Sequence, residues 1–276
     1  MLPGMTSEPT VIQRLERYYD AVPRRRARSE QIGPFTLFIA ASGWPFYARP
    51  KLGGSDKIGP SDVRRVLDRQ RELDVPRSIE WVDEVTPGLA EVVESTSIEV
   101  ARCPLLVLDG APRGSAGTVR MLRPDEVDTL IATRAAISAG FSYGGTTTGD
   151  AGIEARDAEL DSARKEVDGA FVASLREGAA RMAAVFASQA GAAELGPVGG
   201  GSYSRVGDVA EITGVAVLPA YRRQGLAARL TYVLATDALD RGVTTVFCSG
   251  ESDDVARVYE GIGFRRVGTA CIAEAS

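Results

Sequence analysis

Residues 209–275 constrain the fold more tightly than any other stretch. VAEITGVAVLP (209–219) is an apolar strand pattern closed by a proline. A helix expected over about 222–241 follows, with Leu226, Leu230, Val233 and Leu234 at helical spacing and Gly242 as its stop. Then come TTVFCSG (244–250) as a strand, a helix over about 252–260, and a last strand or pair through FRRVGTACIAEA (264–275). Strand–helix–strand–helix–strand with short connections needs crossovers, so the core is α/β and at least partly parallel.

The chain of 276 residues predicts one large or two modest domains, and its 44% apolar residues suffice for a core. It contains no histidine. That removes Ser-His-Asp and Cys-His catalysis and the common zinc sites, so no metal is expected and a general base must be a carboxylate or water. Cys103, Cys248 and Cys271 are too far apart for a metal knuckle and read as small apolar residues; a nucleophilic Cys248 would lack an activating histidine. No apolar run is long enough to span a membrane, and MLPGMTSEPT has no basic-then-apolar leader, so a cytoplasmic chain is expected. Residues 1–118 hold 16 Lys+Arg and 16 Asp+Glu; residues 119–276 hold 16 and 21, the whole net charge of −5. An acidic second half argues against nucleic acid and for a cationic small substrate.

The first half reads as α/β. VIQRLERYY (11–19) is a short helix and PRRRARSE (23–30) a solvated linker. FTLFIAA (35–41) is a strand, and two prolines break GWPFYARP (43–50). SDVRRVLDRQREL (61–73) is an amphipathic helix with Ser61 as N-cap and Val63, Val66, Leu67 and Leu73 on one face. SIEWV, a helical GLAEVV, SIEV and PLLVL complete it, and DGAPRGSAG (109–117) is the expected boundary, giving domains 1–115 and 116–276. The second half begins with a strand TVRML (118–122) and a helix started by Asp125. Residues 140–152 read as a loop that can line a substrate site, residues 154–180 as one long charged helix, MAAVFASQAG and AAELGPV as strands, and GGGSYSRVGD (199–208) as a hairpin turn. That glycine run lacks the G-K-[S/T] ending of a phosphate-binding P-loop.

The turn before the helix carries the chemistry. A helix start leaves backbone N–H groups unpaired and bears partial positive charge. Gly225 and Ala227 add no bulk, and Arg222 and Arg223 add charge, which together suit a phosphate or pyrophosphate. R-x-x-G-x-A at 222–227, after a strand and one strand before ARVYEGIGF (256–264), resembles the GNAT superfamily of acetyl-CoA-dependent N-acetyltransferases. The resemblance covers the second half.

It implies that backbone groups of Val215, Ala216 and Val217, on a strand splayed from its neighbour, pair with the pantetheine arm of acetyl-CoA. One N–H there would face the thioester oxygen. It implies that the pyrophosphate rests on Arg222, Arg223, Gln224, Gly225, Leu226, Ala227 and Ala228. An alkylammonium near pKa ~10.4 is neutral in only about one molecule in a thousand at pH 7, so acyl transfer needs a base. Glu211 matches a position where family members carry that carboxylate, with an exposed strand residue as the plain alternative; Asp208 and Glu251 are substitutes. Tyr259 matches the acid that protonates the leaving thiolate, its plain alternative being a core aromatic. Where many members have an asparagine on the arm-binding helix, this chain has Asp253 beside Ser252 and Asp254, for which helix capping is a sufficient role.

The first half has a similar order of elements and neither motif. The expected fold is therefore two GNAT-like mixed-sheet α/β domains in tandem, the N-terminal one degenerate and non-catalytic. The implied function is acetyl transfer to a primary amine of a small molecule by direct attack in a ternary complex, with no nucleic-acid or membrane partner; a homodimer is compatible with it. Two rivals remain at this level: a non-catalytic acyl-CoA-binding sensor or scaffold, and an aminoacyl-tRNA-dependent transferase, which would need a basic groove.

Overall fold

The computed structural model describes residues 9–40, 46–187 and 195–275. They form two compact units, one of residues 9–40, 46–102 and 267–275, the other of residues 103–187 and 195–266.

The first unit opens with α1 (Val11–Arg24), which a capping box starts: the Thr10 hydroxyl accepts from Gln13 N–H at 3.3 Å and the Gln13 side-chain Oε1 accepts from Thr10 N–H at 2.9 Å. The segment expected as a linker instead contains β1 (Ala27–Ile32), paired antiparallel with β2 (Phe35–Ala40). Gly33, at φ +56°, makes the tight turn between them, and β1 is an edge strand, where charged residues are tolerated. β3 (Ala48–Pro50) pairs with β2, and β4 (Arg77–Val82) lies parallel to β3 across the crossover helix α2 (Pro60–Glu72). Val63, Val66 and Leu67 of α2 are buried, as its periodicity predicts. Its start differs from the expected Ser61 cap. Gly59 is the cap residue, Pro60 takes the first helical position, and the Asp62 carboxylate accepts the Gly59 N–H at 3.0 Å. α3 (Leu89–Glu94) follows.

The second unit contains β6 (Val119–Met121), α4 (Val127–Ser142), α5 (Ile153–Ala158), α6 (Leu160–Glu166), α7 (Gly169–Arg176), β7 (Ala180–Phe186), β8 (Pro197–Val206) and β9 (Val209–Val217). After a 3₁₀ turn at Pro219–Tyr221 come α8 (Leu226–Asp240), β10 (Thr245–Ser249) and α9 (Asp253–Ile262). β6, β7, β8 and β9 pair antiparallel in sequence, and β9 pairs parallel with β10. The mixed α/β sheet is thus as the alternation of elements requires.

Two further strands pass between the units. β5 (Val100–Leu108) begins in the first and ends in the second, where Leu105–Val107 pair antiparallel with β10. β11 (Phe264–Ala275) begins in the second and ends in the first, where Ala270–Ala275 pair antiparallel with β4. Each half of the chain therefore supplies the last strand to the other half's unit. The expected division at 115/116 follows the glycine- and proline-rich connection, whereas compactness groups residues 103–115 with the second unit and 267–275 with the first.

Three expected elements in the second unit differ. The long helix over 154–180 is three short ones: Val167 leaves helical geometry, and Asp168 caps a new start by accepting the Phe171 N–H at 2.7 Å. Of the expected AAELGPV strand (192–198), residues 192–194 lie outside the described residues, Leu195 and Gly196 are not in a strand, and β8 begins at Pro197. GGGSYSRVGD is not a turn but most of β8, with only Gly207 and Asp208 turning. The glycines there serve close packing. A Cβ on Gly199 would meet the Ala216 carbonyl oxygen at 2.5 Å, and one on Gly201 would meet Leu234 and Val215 side chains at 3.0 Å.

Intrinsic preference favours alanine over glycine in a strand. Contact with backbone that cannot turn away reverses the sign at position 199. Gly199→Ala is expected to destabilise by about 1–3 kcal/mol and lower the melting temperature by several degrees. Thermal denaturation measured by circular dichroism checks this, and an unchanged or raised midpoint contradicts it.

Candidate active site

The site lies wholly within the second unit. β9 and β10 pair only at Val209, Ala210 and Glu211, opposite Thr245, Val246 and Phe247. β9 then continues to Val217 and β10 to Ser249. The strands part after Glu211, leaving one edge of Thr213–Val217 without a ladder partner there. On the other side the register with β8 shifts between Gly200 and Ser202, and Gly214 at φ +66° takes the bulge. Val215, Ala216 and Val217 lie on this end of β9, beyond its pairing with β10.

Beyond β9 the chain turns through Pro219–Tyr221 and enters α8 at Leu226, later than the expected Arg222. Arg223 (φ 63°) and Gly225 (φ 72°) are both left-handed. Gly225 is the N-cap residue of α8, no side chain caps it, and the first turn holds no acid. The first helical bond of the turn is Arg229 N–H to the Gly225 carbonyl at 3.1 Å. Among the described residues, the N–H groups of Arg223, Gln224, Gly225, Leu226, Ala227 and Ala228 donate no backbone bond. Such a run of N–H groups at a helix start, with two left-handed residues, suits an anion. A Cβ on Gly225 would meet nothing within 4 Å, so that face of the turn is open.

Arg222 is placed differently from the expectation. Its N–H donates to the Pro219 carbonyl at 3.2 Å. Its guanidinium donates to four carbonyls: Val217 at 3.1 Å, Gly144 at 2.8 Å, Thr147 at 3.0 Å and Gly140 at 2.7 Å. The side chain is thus committed to the loop after α4 rather than to the anion cradle. The turn carries two adjacent arginines, and sequence alone does not separate the one that faces the cradle from the one that faces the loop.

Three groups meet at the parting of the strands. Glu211 is half-buried on β9, Cys248 is buried on β10, and Tyr259 is buried on α9, its ring 5.9 Å from that of Phe264. Burial first, and the Glu211 charge second, push the Cys248 thiol well above its usual value. Burial first, and Cys248 second, push the Tyr259 phenol up as well. The thiol is inert and protonated, in accord with the apolar reading of the cysteines. The phenol keeps the proton that an acid must hold. Cys248, lying electrostatically between Glu211 and Tyr259, is the member of this group that the sequence did not assign to a site.

The substitute bases lie elsewhere. The Asp208 carboxylate accepts the Thr244 hydroxyl at 2.6 Å, and its carbonyl accepts the Thr244 N–H at 2.8 Å, fixing the start of β9. Glu251 is exposed and acts electrostatically on Arg222. Ser252 caps α9, accepting from Val255 N–H, and Asp253 is exposed and faces Arg266 at 3.4 Å, so capping and surface pairing account for this pair. Among the described residues no cluster suits a metal ion, and no helix is long and apolar enough to cross a membrane.

A model of the acetyltransferase (GNAT) family matches residues 156–264. Among solved structures, a GCN5-related N-acetyltransferase from Kribbella flavida is similar at a TM-score of 0.65 and 20% identity, over 96% of this chain and 96% of that one. A tandem GNAT protein from the clavulanic acid biosynthesis pathway is similar at 0.53 and 16%, over 99% of this chain and 90% of that one. A GCN5-related N-acetyltransferase from Sphaerobacter thermophilus is similar at 0.53 and 16%, over 95% and 84%. No curated protein matches. The family model thus matches most of the second half, and the chain has the fold of tandem GNAT proteins, as the order of its elements implied.

The raised thiol and phenol fix a pH dependence. Both keep protons in the folded state that the unfolded chain releases above about pH 8.5 for cysteine and about pH 10 for tyrosine. Stability is fully present below those values and falls as pH rises through them. Cys248→Ala is expected to flatten the decline between about pH 8.5 and 10 by up to about 1.4 kcal/mol per pH unit, read by urea denaturation. An unaltered slope contradicts the assigned thiol.

Proposed function

We propose that this chain, through the GNAT acetyltransferase domain in its second half, moves an acetyl group from acetyl-CoA to a primary amine of a small molecule by direct attack in a ternary complex. The observation that carries the proposal is the coincidence of an open anion cradle at 223–228 with a strand end at 215–217 that parts from β10. The residues present fit the cofactor. The N–H groups of Arg223 to Ala228 would hold the pyrophosphate, with the Arg223 side chain as counter-charge, and backbone groups of Val215, Ala216 and Val217 would pair with the pantetheine arm. When bound, acetyl-CoA supplies an activated thioester.

Glu211, the last residue of β9 paired with β10, removes the proton from the attacking ammonium, directly or through water. An N–H at the end of β9 meets the negative charge that grows on the carbonyl oxygen. Tyr259, a protonated phenol at the parting, gives its proton to the departing thiolate. In this reading the Arg222 side chain holds the loop after α4 and does not contact the cofactor.

The first unit is a degenerate, non-catalytic partner in this reading. Its crossover helix α2 starts with Pro60, which has no N–H, and the Asp62 carboxylate occupies the place an anion would take at Gly59. The acceptor's positive charge suits the acidic second half, which also disfavours a tRNA substrate. A cytoplasmic setting and a homodimer accord with the reading.

The test is release of free thiol from acetyl-CoA across a panel of primary amines: polyamines, amino sugars, aminoglycosides and free lysine. Turnover with at least one amine is expected. Glu211→Gln is expected to lower kcat by about 100-fold and to flatten the acid limb of the pH–rate profile. Tyr259→Phe, which keeps the ring packed on Phe264, is expected to lower kcat by about 10- to 100-fold with unchanged acetyl-CoA affinity. Binding of acetyl-CoA without turnover for any amine supports a non-catalytic acyl-CoA module instead.

A further inference from the structure

The loop from Tyr143 to Gly152 contains four glycines, two of them left-handed: Gly144 at φ 45° and Gly145 at φ 56°. Such a segment has high chain entropy and is held only where something fastens it. Its fastenings converge on one short stretch of chain. Gly149 N–H donates to the Pro219 carbonyl at 3.4 Å, and Ala220 N–H donates to the Ala151 carbonyl at 3.1 Å. Arg222 donates to Gly144 at 2.8 Å and Thr147 at 3.0 Å, and joins them to Gly140 at the end of α4 and Val217 at the end of β9. A Cβ on Gly149 would touch Pro219 at 3.3 Å, so the loop also packs closely on the 3₁₀ turn. The residue after this staple, Arg223, begins the anion cradle.

We propose that Arg222 is a positioning residue that couples the 143–152 loop to the cradle, so that an anion held at 223–228 tightens the loop. The inference rests on the cofactor reading of that cradle. Charge-assisted bonds from one planar guanidinium to four carbonyls are specific to arginine, because an ammonium has three donors on one point and cannot span them. An anion that immobilises 223–228 reduces the freedom of residue 222. The loop then opens less often, because every opening must break the Arg222 bonds against a fixed base. Phe141 and Tyr143, both more than half exposed at the end of α4, stand at the edge of this loop. Their presentation to an acceptor thereby depends on the staple.

Amide hydrogen exchange of the full chain, with acetyl-CoA as the probe, tests this. In the free wild-type protein the amides of 143–152 are expected to exchange about 10-fold more slowly than in Arg222→Lys or Arg222→Ala. Acetyl-CoA is expected to slow them by a further several-fold in the wild type and not in either variant. Its affinity, measured by calorimetry, is expected to change less than about 3-fold in Arg222→Lys, and millimolar guanidinium is expected to restore part of the protection in Arg222→Ala but not in the wild type. Faster exchange of 143–152 when acetyl-CoA binds the wild type would mean that Arg222 leaves the loop for the pyrophosphate, and overturns the proposal. Equal loop exchange in free wild type and Arg222→Lys overturns it as well. If acetyl-CoA does not bind the wild type, the cofactor reading and the proposed coupling fall, while the comparison of the free proteins still reports the staple by itself.

Discussion

Everything in the second unit depends on the parallel contact between β9 and β10 ending at Glu211. A continuous ladder to Val217 would satisfy the backbone and leave no room for a ligand between the strands. The parting instead leaves peptide groups that a chain must pair with something, because an unmet buried amide costs about 1–3 kcal/mol. The thiol of Cys248 on the next strand is in electrostatic range of the Glu211 carboxylate on one side and the Tyr259 phenol of the following helix on the other. The bulge at Gly214 lies opposite the glycines of β8, which let the neighbouring backbone and side chains pack closely there.

The two crossover helices show how one architecture is made receptive or closed at a helix start. Both α2 and α8 connect parallel strands. α8 begins on Gly225 with no capping side chain and no acid in its first turn, so its donors and dipole face outward. α2 begins on proline and carries an aspartate that bonds back to Gly59, so its own chain supplies the anion. A few residues at the helix entry therefore separate a unit suited to a phosphate ligand from one that is not.

Much of this was legible in the sequence because periodicity reports burial. The strand before Pro219, the helix through Leu226, Leu230 and Leu234, and the tyrosine on α9 follow from spacing and from resemblance. What was not legible depends on contacts between distant residues. Gly199, Gly200 and Gly201 look like a turn, and only the helix and strand packed on them explain glycines in a strand. Residues 27–32 look like a solvated linker because an edge strand is as polar as a linker; pairing with Phe35–Ala40 makes the difference. The exchange of β5 and β11 between units leaves no local signal, since a strand reads the same whichever sheet it joins. Arg222 and Arg223 are chemically alike, and only the carbonyls around the first distinguish them.

The measurement that bears most directly on the central claim is a calorimetric titration of acetyl-CoA into the pure protein, with Gly225→Glu as the comparison. One site per chain is expected in the wild type and none in the variant, because a carboxylate at the open face of the cradle repels and blocks the pyrophosphate. Two sites would contradict the closed first unit. Absence of binding to a folded wild type, or equal binding to the variant, would contradict the cradle itself.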